Sequence, residues 1–200
     1  MRKMFVSRAS VILVLGCAML SARAAGDGTL QAIPSAYNPA KADVRIGAEW
    51  VGRAGAPDPG GVTGNGLVLS ISDTVAYPPG ASAVATVTPA EDRHLRHLAF
   101  DHKIGTHCSG GSPRWVVETT DGGVYAFGCA SGVRQIDLPG AGWERITFAC
   151  EDVQVLTGVP GTCPLGSAQM LSALQLVHDE SGSTTLDNLD VDFVVVRAGR

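Results

Sequence analysis

The 200-residue sequence lacks features that mark several common functional classes. It has no long stretch of helical periodicity, no internal repeat and, beyond its N-terminus, no apolar run long enough to cross a bilayer. The G-x-S-x-G turn of many hydrolases is absent, as is the paired C-x-x-C spacing of structural zinc sites. These absences argue against a helical protein, a membrane-embedded protein and an ordinary serine hydrolase.

The one prominent apolar run lies at the N-terminus and has the form of an export signal. Three basic residues precede the run VILVLGCAML, and the small-x-small sequence Ala22-Arg23-Ala24 follows it. This order predicts a signal peptide over residues 1–24 and a chain that is secreted or periplasmic. The alternative is a lipoprotein attached through Cys17, since residues 14–17 form a loose lipoprotein box.

Positive charge is scarce in the chain that would remain after cleavage. Without residues 1–24 the sequence has 11 basic and 19 acidic residues, a net charge of −8. Nucleic-acid binding needs a basic surface that neutralises phosphates, so this balance argues against a nucleic-acid partner.

Four cysteines remain after the predicted cleavage, namely Cys108, Cys129, Cys150 and Cys163. An even number in an exported chain indicates two disulfides, for which three pairings exist. We favour Cys108–Cys129 with Cys150–Cys163, because each bond would join the ends of a local unit.

Short apolar alternations dominate the rest of the chain. They predict about ten strands in a single domain over residues 43–200, an all-β antiparallel sandwich or jelly roll stapled by two disulfides. Residues 25–42, with two prolines and many small residues, are expected to form a flexible N-terminal segment, and residues 53–65 a Gly/Pro loop.

The stretch between Cys108 and Cys129 is predicted to be a β-hairpin. Asp121-Gly122-Gly123 supplies residues that tolerate a tight turn between two alternating segments. Arg114 and Glu118 are expected to point outward. The core face is expected to carry Trp115, Val117, Tyr125 and Phe127.

The ordered motifs CSGGSPRWVVE, YAFGC, LQLVHDE and TLDNLDV resemble those of a group of exported bacterial β-sandwich proteins. The closing strand is also similar to that of galactose-binding-like and carbohydrate-binding-module jelly rolls. The resemblance covers roughly residues 80–196, with His178 where an aromatic residue is common. It implies a binding or surface domain rather than a particular activity.

The function favoured by these observations is a non-catalytic exported domain that binds a glycan or takes part in a surface assembly. Candidate ligand contacts are Arg114, Glu118 and Trp143, because a planar guanidinium, a carboxylate and an aromatic ring are groups that recognise sugars. For Arg114 the alternative is a structural ion pair with Asp101 or Glu118.

An acidic group near the C-terminus is a candidate structural calcium site. The hard oxygen ligands that Ca²⁺ prefers are offered by Asp187, Asn188, Asp190 and Asp192, together with Asp179 or Glu180. The alternative is that Asp187 and Asn188 bond to the backbone of their own turn.

One enzymatic alternative remains. Glycoside hydrolysis needs only two suitably spaced carboxylates, so a secreted carbohydrate-active enzyme stays open. The candidate carboxylates are Glu49, Glu118, Glu144, Asp179 and Glu180. Four histidines between residues 94 and 107 are expected to lie on solvent-facing strand positions rather than to converge on a metal. No catalytic residue is predicted.

Overall fold

The computed structural model describes residues 29–39, 44–57, 63–72, 80–109 and 111–199. The predicted signal peptide and Cys17 lie outside these ranges. Across the part of the chain that is described, no helix is both long and apolar enough to span a membrane.

Two β-sheets form the domain, and nearly all neighbouring strands are antiparallel; β1 and β14 are the parallel pair. Sheet one has the spatial order β10 (Val153–Thr157), β7 (Val124–Gly128), β6 (Arg114–Thr119), β11 (Leu171–His178), β4 (Ser82–Thr88), β1 (Gln31–Tyr37) and β14 (Arg197–Ala198). Sheet two has the order β2 (Arg45–Pro57), β3 (Thr63–Ser72), β12 (Gly182–Val191), β5 (Leu98–Lys103), β9 (Trp143–Thr147) and β8 (Val133–Ile136). The short strand β13 (Val194–Val195) pairs with β12, and a 3-10 turn spans Cys150–Asp152.

The core lies between the sheets because each strand alternates apolar and polar residues. Leu67 and Leu69 of β3 are fully buried, as are Ala83 and Ala85 of β4. The four residues predicted for the core face of the hairpin are all buried as well: Trp115, Val117, Tyr125 and Phe127. The predicted all-β sandwich is confirmed.

Both predicted disulfides are present. Cys108 bonds to Cys129, and Cys150 bonds to Cys163. The first bond joins the end of β7 in sheet one to the segment that follows β5 in sheet two, so it ties the two sheets together at one end.

Two segments predicted to be irregular are strands. Residues 31–37, assigned above to a flexible N-terminal segment, form β1 and pair with all of β4. Pro34 is accepted because β14 covers only Gln31 and Ala32 on the other side of β1, which leaves the rest of β1 as an edge where proline is tolerated. The predicted loop over residues 53–65 is likewise narrower, because β2 continues to Pro57 and β3 begins at Thr63.

Candidate functional site: the outer face of sheet one

The solvent side of sheet one presents a broad surface of mixed polar and apolar residues, which we call the outer face. It consists of the residues that alternate with core residues along β1, β4, β11, β6 and β7. Its members are Ile33, Ser35, Tyr37, Ser82, Val84, Thr86, Ala173, Gln175, Val177, Arg114, Val116, Glu118, Val124, Ala126 and Gly128.

A depression of about 330 Å³ lies over β1, β4 and β11 on this face. Hydroxyl and amide groups line it, from Ser35, Ser82, Thr86 and Gln175. Gln175 Nε2 donates to Thr86 Oγ1 at 3.5 Å, a long contact that leaves most of the hydrogen-bonding capacity of both groups for a ligand. Tyr37 also lines the depression and is 57% exposed.

A second depression of about 290 Å³ lies over β7 and β10 on the opposite flank. Small residues, Ala126 and Gly128, contribute to its floor, and Ser131 and Gln154 contribute polar groups. Register aligns Gln154, Ala126, Val116, Gln175 and Thr86 in one row across five strands. At the usual strand spacing this row is about 19 Å long, which suits an extended ligand lying across the strands.

Arg114 lies on the outer face, and its guanidinium is engaged by Asp179. Arg114 Nη1 donates to Asp179 Oδ1 at 2.7 Å, and Nη2 donates to Oδ2. The structural ion pair is therefore formed, with Asp179 rather than with Asp101 or Glu118. Glu118 is exposed on the same face, opposite Ala173 and Val124.

Trp143 is not part of this surface. It belongs to β9 of sheet two and is only 5% exposed, so the structure does not bring it to Arg114 or Glu118. The neighbouring Glu144 points to the other side of β9, because successive side chains of a strand alternate. Glu144 therefore does not lie beside an exposed aromatic ring.

Glu144 instead belongs to a buried polar network beside the Cys108–Cys129 disulfide. His102 Nδ1 donates to Glu144 Oε1 at 2.9 Å, and Arg134 Nη1 donates to the same oxygen at 2.6 Å. Burial lowers the pKa of His102 from its usual value, with Glu144 opposing part of that effect. Arg134 Nη2 also lies 2.9 Å from Cys108 Sγ.

His102 was expected to face solvent, and this expectation is wrong. The signal was present in the sequence, since His102 continues the period-two face of Leu98 and Phe100, which points to the core. His102, Cys108 and Cys129 are close enough to suggest a metal site among the described residues. The two cysteines are bonded to each other, however, and a thiolate is what a metal would need.

Two serine–histidine pairs lie near the start of the hairpin without forming a catalytic arrangement. Ser112 Oγ lies 2.8 Å from His178 Nδ1, but both residues are fully buried. His107 Nε2 lies 3.3 Å from Ser109 Oγ and 2.9 Å from Glu180 Oε2. A nucleophile and an acid share one nitrogen here, whereas a catalytic triad uses the two nitrogens separately.

The five candidate carboxylates occupy separate surroundings. Glu144 is paired with Arg134 and His102, Asp179 with Arg114, and Glu180 with His107. Glu118 is exposed on sheet one. Glu49 is exposed on β2 of sheet two. Within the described part of the chain, these five do not combine into the acid pair that a glycosidase needs.

The residues predicted to bind calcium are not all brought together. Asp179 directly follows β11 and precedes Gly182, where β12 begins, whereas Asp187 is five residues further along that strand, about 16 Å from Gly182. Asp187 accepts backbone bonds from Ala56 at 2.7 Å and Asn188 at 2.7 Å.

Positive charge is already present beside Asp187 and Asn188. Arg145 Nη1 lies 3.5 Å from Asp101 Oδ1, and Nη2 lies 3.3 Å from Asp190 Oδ2. Asn188 Nδ2 donates to Asp101 Oδ2 at 2.7 Å. The guanidinium thus already supplies positive charge beside Asp101 and Asp190.

We accordingly expect the melting temperature to be the same in Ca²⁺ and in EDTA. A ligand that binds only the folded state raises the melting temperature with its concentration, and the positive charge of Arg145 beside these carboxylates opposes the binding of another cation. Differential scanning calorimetry in the two buffers checks this. A rise in melting temperature with added Ca²⁺ would contradict it.

Comparison with known proteins finds a structural similarity at low sequence identity and no sequence match. No protein-family model and no curated protein sequence matches the chain. A solved structure, the family 11 carbohydrate-binding module of the cellulosomal cellulase Lic26A-Cel5E of Clostridium thermocellum, is similar to it at 15% sequence identity. The similarity covers 87% of this chain and 93% of that one, with a TM-score of 0.44.

Proposed function

We propose that this protein is an exported, non-catalytic domain that binds a glycan on the outer face of sheet one. The observation that carries the proposal is the depression over β1, β4 and β11, where polar side chains stand beside the exposed ring of Tyr37. Two disulfides support export, because such bonds persist in oxidising compartments.

The chemistry of this depression suits a neutral sugar chain. Sugar hydroxyls need partners that both donate and accept, and Ser35, Ser82, Thr86 and Gln175 supply hydroxyl and amide groups of that kind. An aromatic ring covers the apolar face of a sugar, a role that Tyr37 takes in this proposal.

Arg114 and Glu118 have different roles in the proposal. Arg114 is held by Asp179 through two hydrogen bonds, so in this proposal its guanidinium is a fixed group at one end of the central strands. Glu118 is exposed toward the other end, where its carboxylate accepts hydrogen bonds from sugar hydroxyls. Trp143, which is buried in sheet two, has no part in it.

The experiment is a glycan array with the mature domain, followed by calorimetric titration of the best-bound neutral glycan. We expect Tyr37→Ala to weaken binding about tenfold, equivalent to roughly 1.4 kcal/mol. We expect Gln175→Ala to weaken it also, because this side chain lines the depression and belongs to the row.

Phe193→Ala is the matched control, since it removes an exposed aromatic ring from sheet two. It should leave the affinity for the neutral glycan unchanged. The proposal is overturned if no neutral glycan binds, or if Tyr37→Ala binds as tightly as the original protein.

A further inference from the structure

A second surface, at an end of sheet two, combines basic side chains with an exposed aromatic ring. A depression of about 390 Å³ is lined by Arg93, His94, Arg96, Asp192 and Phe193. A neighbouring one of about 470 Å³ shares His94 and Arg96 and extends to the loop at residues 166–168. We call these two together the basic trough.

The backbone of the trough is held rigidly. Arg96 N donates to Asp192 Oδ1 at 2.6 Å, and His97 N donates to the same oxygen at 3.2 Å. Asp192 N in turn donates to the carbonyl oxygen of His97 at 3.0 Å. These bonds fix the loop at residues 93–97 against the turn that follows β12, so a ligand would meet a preformed site.

Phe193 is presented to solvent in an unusual conformation. Its φ of +64°, like the +55° of Asp192, lies in the left-handed region, where a bulky side chain is rare and strained. The ring is 74% exposed and stacks on His97, with centroids 4.4 Å apart and planes 13° apart. One side of the ring is therefore supported, and the ring remains largely accessible.

The charges around this ring favour an anion. Arg96 is exposed and has no side-chain partner among the described residues, and Arg93 lines the same depression. His94 Nδ1 donates to the carbonyl oxygen of Gln169 at 3.3 Å, and the residue lines both depressions. The carboxylate of Asp192 is engaged by two backbone N–H groups.

The acid that lies behind the ring is also engaged. Asp190 lies 3.9 Å from His97 Nε2 and 3.3 Å from the guanidinium of Arg145. The predicted exported form has a net charge of −8, so a cluster of two arginines and two histidines differs from the acidic character of the rest of the sequence. A planar guanidinium beside an apolar ring matches a ligand that carries a carboxylate on a sugar ring.

We propose that the basic trough is a second binding site, for a uronate residue of an acidic polysaccharide. The sugar ring stacks on Phe193, and its carboxylate pairs with Arg96, with Arg93 as a further donor. This site shares no lining residue with the depression over β1, β4 and β11 and goes beyond the proposed neutral-glycan site.

The probe is trigalacturonic acid, titrated at low ionic strength, with its fully methyl-esterified form as the uncharged control. We expect the acid to bind and the ester to bind about tenfold more weakly, because esterification removes the charge-assisted hydrogen bonds. Added salt should weaken binding of the acid more than that of the ester. NMR shifts should map to Arg96 and Phe193.

Variants separate this site from the outer face. Arg96→Ala and Phe193→Ala should each weaken trigalacturonate binding about tenfold, while the exposed Arg197→Ala serves as the matched charge control and leaves it unchanged. Tyr37→Ala should also leave it unchanged while weakening the neutral glycan. No binding of the acid, equal binding of the ester, or loss of binding in Tyr37→Ala instead of Phe193→Ala overturns the proposal.

Discussion

Replacing Cys108 and Cys129 together with alanine is expected to lower the free energy of unfolding by about 3 kcal/mol. The bond closes a loop with a sequence separation of 21 residues, and removing it lets the unfolded chain regain the entropy that the loop had lost. Because a domain has only about 5–15 kcal/mol of stability, this is a large share of the total.

The surroundings of this disulfide add to its effect. Cys129 is fully buried, so its truncation also leaves a small cavity. Arg134 connects the bond to sheet two, with Nη1 2.6 Å from Glu144 and Nη2 2.9 Å from Cys108 Sγ. Loss of the disulfide thus weakens a contact between the sheets as well as a loop closure.

The matched control is the alanine pair at Cys150 and Cys163. That bond has a sequence separation of 13 residues, and Cys150 is exposed, so both the entropic and the packing effects are smaller. Urea unfolding of the three proteins at one pH measures the difference. A larger loss from the Cys150 and Cys163 pair than from the Cys108 and Cys129 pair would contradict this account.

The hairpin that contains this disulfide shows which structural features could be predicted from the sequence. Period-two alternation placed Trp115 and Phe127 in the core, and both are fully buried. The turn residues and the local disulfide pairing followed from the same short stretch of chain. Local patterns succeed here because the turn and the disulfide that define the hairpin lie within about 20 residues of each other.

Interactions between strands that are distant in the sequence could not be predicted from it. The row that joins Thr86, Gln175 and Val116 depends on the register of β4, β11 and β6, which are far apart in sequence. The partner of Arg114 is Asp179, 65 residues away, and the alternation of the two strands by themselves does not reveal it. A surface made in this way becomes visible only once the strand order is known.

Tyr37, the aromatic ring of the proposed glycan site, was missed for a different reason. It lies in the segment whose prolines and small residues indicated flexibility. An edge strand needs fewer hydrogen bonds from its backbone than a central strand and therefore accepts such a composition. Composition alone does not separate an edge strand from a flexible segment, and here the difference decided where the candidate site lies.

Asp101→Asn is expected to stabilise the protein at pH 7 by about 3 kcal/mol and to have almost no effect at pH 4. Asp101 is fully buried, and burial raises its pKa from 3.8 to about 6, against the opposing effects of Asn188 and Arg145. A shift of that size corresponds to about 3 kcal/mol, since each pKa unit is worth about 1.4 kcal/mol.

The sign follows from proton binding. Between pH 4 and 6 folded Asp101 retains a proton that the unfolded chain releases, so its contribution to the free energy of unfolding falls as the pH rises. Asparagine stays neutral throughout and has no such fall. The advantage of the variant should therefore grow from pH 4 to pH 6 and stay level above that.

The pH dependence of the original protein alone would not reveal the contribution of Asp101, because a buried histidine changes the free energy of unfolding in the opposite direction. Burial lowers the pKa of His178 to about 4, so the unfolded chain binds more protons than the folded one between pH 4 and 6.5. That contribution rises with pH while the contribution of Asp101 falls. Subtracting one protein from the other removes the histidine contribution, because His178 lies on β11 of sheet one and Asp101 on β5 of sheet two.

Urea unfolding of the original protein and Asp101→Asn at pH 4, 5, 6 and 7 provides the test. Glu49→Gln, which removes one exposed charge from the same sheet, controls for the change in net charge. A difference between Asp101→Asn and the original protein that stays constant from pH 4 to pH 7 would show that Asp101 is not the strained buried acid described here. A difference that shrinks as the pH rises would reverse the sign of the argument, because it would mean that the ionised carboxylate is stabilised by Arg145 more than burial opposes it.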